Sequence, residues 1–266
     1  MKKSVCFVVC FFIWASIGWA ITGKEVIEKQ KQKHKVKSEV ATEIMLLVDS
    51  DGSKEKRLVK RYAKEVEPDI HRYLIVFTAP ADIKGTALLT WENKDRANDQ
   101  WLYMPAIKKM QRIAKGSKKN YFMGTDFTYE DMEPEDIDNY NYTILREETL
   151  TQDKKDWPCY VIEAVPATKQ KKRESSYGKR IMWITKNDLL TLKIEFYNKR
   201  GKLIKVQTNH GFKEVQSGVF RPTKTLMNNI ERKHKTLTGT KTRSVNVELD
   251  NSVFTERYIL TGRYLQ

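Results

Sequence analysis

The sequence predicts a mainly β protein: an antiparallel sheet curved into an incomplete, half-open barrel of about ten or eleven strands, with a few helices forming a lid. Three observations predict it. Hydrophobicity alternates with period two along most of the chain, most cleanly where Leu190, Leu192, Ile194 and Phe196 interleave with Thr191, Lys193 and Glu195. Short turns such as Asp51-Gly52-Ser53 and Asn198-Lys199-Arg200-Gly201 separate the apolar runs and leave no room for parallel crossovers. Two central runs are apolar on both faces: Trp101 and Tyr103 oppose Leu102 and Met104, and Ile181 and Trp183 oppose Met182 and Ile184. A sheet backed by water shows one polar face, so here the concave side is either covered or hollow and apolar.

The elements follow in order. Residues 22–36 form one helix that Thr22 can cap, with Val26 and Ile27 on its apolar face. Strands are expected around Ile44 to Val48, 56–63, 72–78, 88–92, 100–104, 110–114, 142–149, 160–166, 180–185 and 190–196. The last three are 203–215, 219–230 and 235–249. Asp126 to Asp138 holds seven acidic residues and no basic one; without the glycine and ligand spacing of a calcium loop it reads as a solvated, partly helical excursion. Residues 169–173 read as a basic loop at a hairpin tip, whose functional alternative is docking to anionic head groups.

The chain has 266 residues, with 49 Lys+Arg against 34 Asp+Glu and a net charge of +15. With 6 Trp, 12 Tyr and 10 Phe it is not a disordered tail, and 31% charged residues exclude a polytopic membrane protein. Lys2 and Lys3, the apolar run from Val5 to Ile17 and the small residues Gly18 and Ala20 form a three-part export signal cut after Ala20. Its removal takes Lys2, Lys3, Cys6 and Cys10, leaving +13 and Cys159 without an internal partner, as in a periplasmic protein. In that compartment the positive charge points to an anionic membrane surface rather than to nucleic acid. A single domain is expected over residues 21–266, as a monomer.

Catalytic chemistry is not indicated. His34, His71, His210 and His234 lack metal-ligand spacing, no nucleophile or phosphate-binding motif occurs, and no cofactor is implied. Cys159, after Trp157-Pro158, reads as a small buried hydrophobe. An enzyme is therefore the last-ranked reading.

Three stretches carry a family resemblance: Phe77-Thr-Ala-Pro80 through Gly85, Asp99-Gln-Trp101-Leu-Tyr103-Met-Pro105 through Arg112, and Phe122-Met-Gly124-Thr-Asp126 through Asp131. With the closing Asp250 to Tyr258, this ordered series resembles the LolA-like outer membrane lipoprotein-sorting protein family. The resemblance implies a half-open barrel with a helical lid, either the N-terminal helix or residues 122–138. It also implies carriage of lipid or lipoprotein acyl chains across the periplasm, beside an RND-type inner-membrane transporter.

Such a carrier needs an apolar cavity above about 300 Å³. Lining candidates are Leu88, Trp91, Trp101, Tyr103, Met104, Met110, Phe122, Met123, Phe127, Met182 and Trp183; at most half can face one cavity, since adjacent strand positions point oppositely. Arg112, Lys108 and Lys109 are candidates for holding a lipid phosphate or cargo carbonyl. The alternative is a periplasmic sensor or accessory subunit that binds a protein partner without lipid transfer, which predicts an exposed apolar patch.

Overall fold

The computed structural model describes residues 21–265, so the expected export signal lies outside the described residues. Helix α1 (Gly23–Lys33) is followed by β1 (Ser38–Val48), β2 (Lys54–Glu67), β3 (Ile70–Ala79), β4 (Ala87–Trp91), β5 (Asp99–Met104) and β6 (Lys109–Arg112). Residues 113–139 are irregular apart from three short 3-10 turns. Then come β7 (Tyr140–Gln152), β8 (Lys155–Pro166), α2 (Lys169–Glu174), β9 (Lys179–Thr185), β10 (Thr191–Tyr197) and β11 (Leu203–His210). The chain finishes with β12 (Lys213–Gln216), β13 (Val219–Arg221), β14 (Lys224–Asn229), β15 (His234–Val245) and α3 (Glu256–Leu260).

Thirteen strands form one antiparallel sheet in the order β6-β5-β4-β3-β2-β1-β15-β14-β11-β10-β9-β8-β7, and β12 and β13 form a separate ribbon. The sheet is mainly antiparallel β and open, as expected, with β6 and β7 as its two free edges. The chain between those edges is residues 113–139, so the irregular segment runs from one side of the opening to the other.

There are more strands than the ten or eleven expected, in part because two expected long strands break. The run 203–215 splits at Gly211, whose φ of +61° leaves the extended region. The run 219–230 splits at Pro222, which has no N–H to give a ladder. The last strand stops at Val245 rather than Leu249, because Asn246 turns left-handed at φ +54°. At the other end, Thr22 caps α1 in a full capping box with Glu25, and the helix ends at Lys33 rather than Val36. Gly23 lets α1 close on the edge strand, since a Cβ there would sit 2.9 Å from the Tyr142 carbonyl carbon.

Register assigns the two faces, because residues paired across strands point the same way. Met45 pairs with Arg57, Val59 with Phe77, Ile75 with Leu88 and Leu88 with Leu102; these face inward. Phe122 and Tyr129 of the irregular segment pack on that inner cluster. Leu74, Val76, Leu89 and Tyr103 face outward, where the C-terminal residues Val253, Phe254, Ile259 and Tyr264 cover them. Trp91 donates to the Phe254 carbonyl at 2.9 Å, and the Tyr264 hydroxyl to the Gly85 carbonyl at 2.8 Å. The two apolar faces seen in the sequence are thus both covered in this half of the sheet. On β7–β9, α1 packs Val26 and Ile27 against Ile162, Ala164, Met182 and Ile184.

Candidate functional site

The concavity is filled mainly by residues 121–139. Phe122 stacks on Phe77 with centroids 5.5 Å apart and meets Tyr129 edge-on at 5.6 Å. Phe127 packs with Tyr177, Phe196, Ile204 and Met227 on the far wall. These contacts bury the aromatic side chains of an irregular stretch against a regular sheet, so their burial rather than backbone pairing holds it there.

Asp126 to Glu135 of the acidic run is buried or half-buried rather than solvated, which corrects the expectation for Asp126 to Asp138; only Asp136 and Asp138 are exposed. Six of its seven carboxylates meet a basic side chain from a different part of the molecule. Asp126 Oδ2 lies 2.6 Å from His234 Nδ1, Asp131 Oδ2 2.7 Å from Lys205 Nζ, and Glu133 Oε2 2.6 Å from Lys118 Nζ. Glu130 pairs with Lys171 at 2.9 Å, Glu135 with Arg180, and Asp138 with Lys24 at 2.6 Å. The segment is therefore fastened by charge to β15, β11, β9, α2 and α1. Residues 169–173, expected as a free basic loop, are helix α2, capped by Thr168 and docked through Lys171.

Burial makes these charges consequential. It pushes the Asp131 carboxyl up, but Lys205, with help from the Thr128 N–H and the Tyr177 hydroxyl, holds it below the usual aspartate range. Glu133 goes the other way: burial outweighs Lys118 and raises its carboxyl. Burial opposes the charge of Lys171, yet Tyr140 and Glu130 keep its pKa above the usual lysine range. Lys205, 1% exposed, also donates to the Asp126 carbonyl at 3.0 Å.

Beside the clamps lies an open cavity of about 620 Å³ between residues 94–98, 115–118, 130–139, α2 and the ends of β9 and β10. It exceeds the volume expected, but its lining is charged: Lys94, Lys115, Asp136, Glu174 and the clamped pairs, with Tyr140, Ile194 and Phe196 beneath. None of the eleven lining candidates reaches it: six are buried in core, and Trp91, Trp101, Met104, Met110 and Met123 are half-buried against it. Leu88, Met104, Phe122 and Met123 belong to the inner cluster under the irregular segment. Trp91, Trp101, Tyr103 and Met110 lie on the outer face beneath the C-terminal residues. Phe127, Met182 and Trp183 fall in three separate clusters. A second groove of about 430 Å³ adjoins the cavity and includes Arg112, whose guanidinium pairs with the buried Asp99. Lys108 and Lys109 sit exposed at the β5–β6 hairpin tip and line neither space.

Sequence reasoning missed Lys205, Arg180, Lys171 and Lys118. The one signal was the acidic run itself: seven carboxylates with no base nearby need partners from elsewhere if they are buried. Among the described residues, no group of three or more His, Cys, Asp or Glu is placed to hold a metal ion.

An open antiparallel sheet whose concavity is stopped by its own chain defines the LolA-like fold, and the comparisons agree. A domain from Vibrio parahaemolyticus assigned to outer membrane lipoprotein sorting superposes with a TM-score of 0.81 at 30% identity, covering 90% of this chain and 98% of its own. A DUF1329 family protein from Desulfovibrio piger gives 0.81 at 26% identity, over 89% and 97% of the two chains. A LolA superfamily protein from Nitrosomonas europaea shares the fold at TM-score 0.69 and 20% identity, over 90% and 100%. A family model described as "Uncharacterized protein" matches residues 69–261, and no curated protein matches significantly. The chain belongs to the outer membrane lipoprotein-sorting protein family of LolA-like fold.

Proposed function

We propose that this protein is a periplasmic carrier, exported by a signal cut after Ala20. Its single domain holds the acyl chain of a lipid or lipoprotein inside the open barrel, moving it toward or from the outer membrane beside an RND-type transporter. Residues 121–139 serve as a lid that occupies the acyl site when cargo is absent. One observation carries the reading: the inner apolar wall of Met45, Val59, Phe77, Leu88 and Leu102 is covered by an irregular segment that spans the opening between the two sheet edges.

The magnitudes fit an exchange. Burying Phe122, Phe127 and Tyr129 is worth roughly 1.5–3 kcal/mol each, about 5–9 kcal/mol together. An acyl chain of roughly 14–16 carbons gains about 11–13 kcal/mol at ~0.8 per methylene. Cargo and lid are then close enough in free energy for either to displace the other. Leu88, Met104 and Met123 would line the opened site, and the cavity's cations, with Arg112 beside them, would meet the polar end of the cargo. The alternative, a sensor or accessory subunit, needs an exposed apolar patch, and one exists on the convex face.

The test is extraction of the protein from the periplasm of a Gram-negative host, with bound molecules identified by native mass spectrometry. The carrier reading expects a stoichiometric acyl lipid or acylated peptide. An empty protein that also fails to bind a fluorescent fatty acid would overturn it.

A further inference from the structure

The convex face of the central strands has no part in the concavity, and nothing among the described residues covers it. Three registers define it. Val48 pairs with Lys54 and Lys235, Leu46 with Lys56 and Leu237, and Ile44 with Leu58. On the next strands, Leu237 pairs with Leu226 and Lys224 with Gly239, while Val206 pairs with Asn228, the partner of Lys235. Paired residues share a face, so Ile44, Leu46, Val48, Val206, Leu226 and Leu237 form one apolar stripe across four strands. Their strand neighbours Met45, Leu47, Met227 and Thr236 are buried in the interior, which fixes the stripe as outward-facing. Leu237 is 38% exposed, and the other five are half-buried. No core cluster claims them, unlike the outward residues of β2–β5 under the C-terminal segment.

The rim is cationic. Lys54, Lys56, Lys224 and Lys235 are exposed on the same face, and Lys60 joins them through its pairing with Thr42. None of these five lysines has a carboxylate within ion-pair distance among the described residues, although the protein pairs most of its buried charges. The nearest outward acid in register is Glu195, which Lys193 already neutralises at 2.6 Å. A connected apolar stripe fringed by free lysines, with the exposed carboxylates Asp49 and Asp51 confined to the β1–β2 turn at its end, is complementary to a surface of anionic head groups over hydrocarbon.

We propose that this convex face is the membrane-docking surface of the protein, seating it on a bilayer rich in anionic phospholipid. The lysines meet the phosphates, and the leucine stripe presses into the head-group boundary. The stripe lies on the middle of the strand order while the opening lies between its two ends, β6 and β7, so docking leaves the opening free. The inference does not depend on what the concavity carries: it survives if no acyl cargo is found, and it can fail while cargo binding stands.

The test is co-sedimentation of the full-length protein with vesicles of phosphatidylethanolamine containing phosphatidylglycerol, against vesicles of phosphatidylcholine alone. The variants K56Q/K224Q/K235Q and L226S/L237S are compared with K169Q/K172Q/R173Q on α2, and all carry the same N-terminus. Circular dichroism and a urea midpoint confirm that each is folded. The proposal expects binding to the anionic vesicles, weakened about fivefold per lysine removed from the convex face, and on the order of a hundredfold for the triple variant. It also expects weakening in L226S/L237S, little change in the α2 variant, and loss of binding in high salt. Equal binding by the convex-face variants, a loss confined to the α2 variant, or a protein that never pellets with anionic vesicles would overturn it. The last outcome, with a defined protein captured on the same stripe by cross-linking, would assign the face to a protein partner.

Discussion

Residues 121–129 and 130–138, the two halves of the segment that fills the concavity, are held mainly by different physics. Residues 121–129 are seated by aromatic burial: Phe122, Phe127 and Tyr129 sit in apolar clusters on both walls. Residues 130–138 are seated by charge, through Glu130, Asp131, Glu133, Glu135 and Asp138. The first half carries one buried carboxylate, Asp126, against His234, and its remaining hold is apolar, so on the carrier reading it would compete for the same surface as a hydrocarbon chain. The second half borders the open polar cavity, where water and titration reach it. On the proposed carrier reading, the first half would be an anchor that cargo displaces and the second a latch that solution conditions loosen. Buried ion pairs add little net stability but strongly penalise any arrangement that separates them, so they fix where the lid sits.

Substitutions in each half sharpen the contrast. Lys205→Met leaves Asp131 buried without its cation, and urea denaturation is expected to show a loss of about 3–5 kcal/mol at neutral pH. That loss should shrink as pH falls, because protonating the stranded carboxylate removes the unpaired charge. Phe122→Ala is expected to cost about 3–5 kcal/mol too, but with no dependence on pH across the same range. If both variants respond to pH alike, the division into anchor and latch is wrong.

Titration of the wild type separates two groups within the latch. Asp131 has a lowered pKa, so its contribution is complete above the unfolded value near 3.8 and disappears as pH falls through the folded value. Glu133 has a raised pKa, so the folded state takes up its proton first, and its contribution to stability grows as pH falls toward 4.5. Glu133→Gln is therefore expected to abolish that growth, as read from urea midpoints between pH 7 and 4.5.

The smallest effect expected is at Cys159, outside the lid. Burial pushes its thiol up to about 11, and it donates to the Trp157 carbonyl at 3.2 Å. A thiol reagent at pH 8 should leave the native protein unlabelled and react on denaturation. Rapid native labelling would mean that the β8 core opens far more readily than its packing implies.

Much of the fold was legible because it is local. Alternation along 190–196 and 100–104 reports strand faces directly, and Thr22 ahead of Val26 and Ile27 announces a helix start. The opposition of Trp101 and Tyr103 to Leu102 and Met104 matches the two clusters they join. The acidic run was misread because its partners are distant: Asp131 meets Lys205 across 74 positions, and nothing near either residue marks the other. A lysine within Leu203-Ile204-Lys205-Val206 looks like any outward strand charge until the strand's bulge and neighbours are known. The eleven lining candidates were chosen as apolar residues near the family motifs. Such residues make core wherever a lid or strap covers them, so residue type alone does not separate cavity wall from packed interior.

Hydrogen exchange over residues 121–139, with and without a saturating acyl lipid, tests most directly whether lid and cargo compete. The account predicts faster exchange on lipid binding at amides the closed lid protects, such as Tyr129 N to the Asn120 carbonyl, Glu130 N to the Lys118 carbonyl and Asp126 N to the Thr236 hydroxyl. Bound lipid that leaves those amides unchanged or slows them would contradict it, because the acyl chain would then occupy space the lid never held.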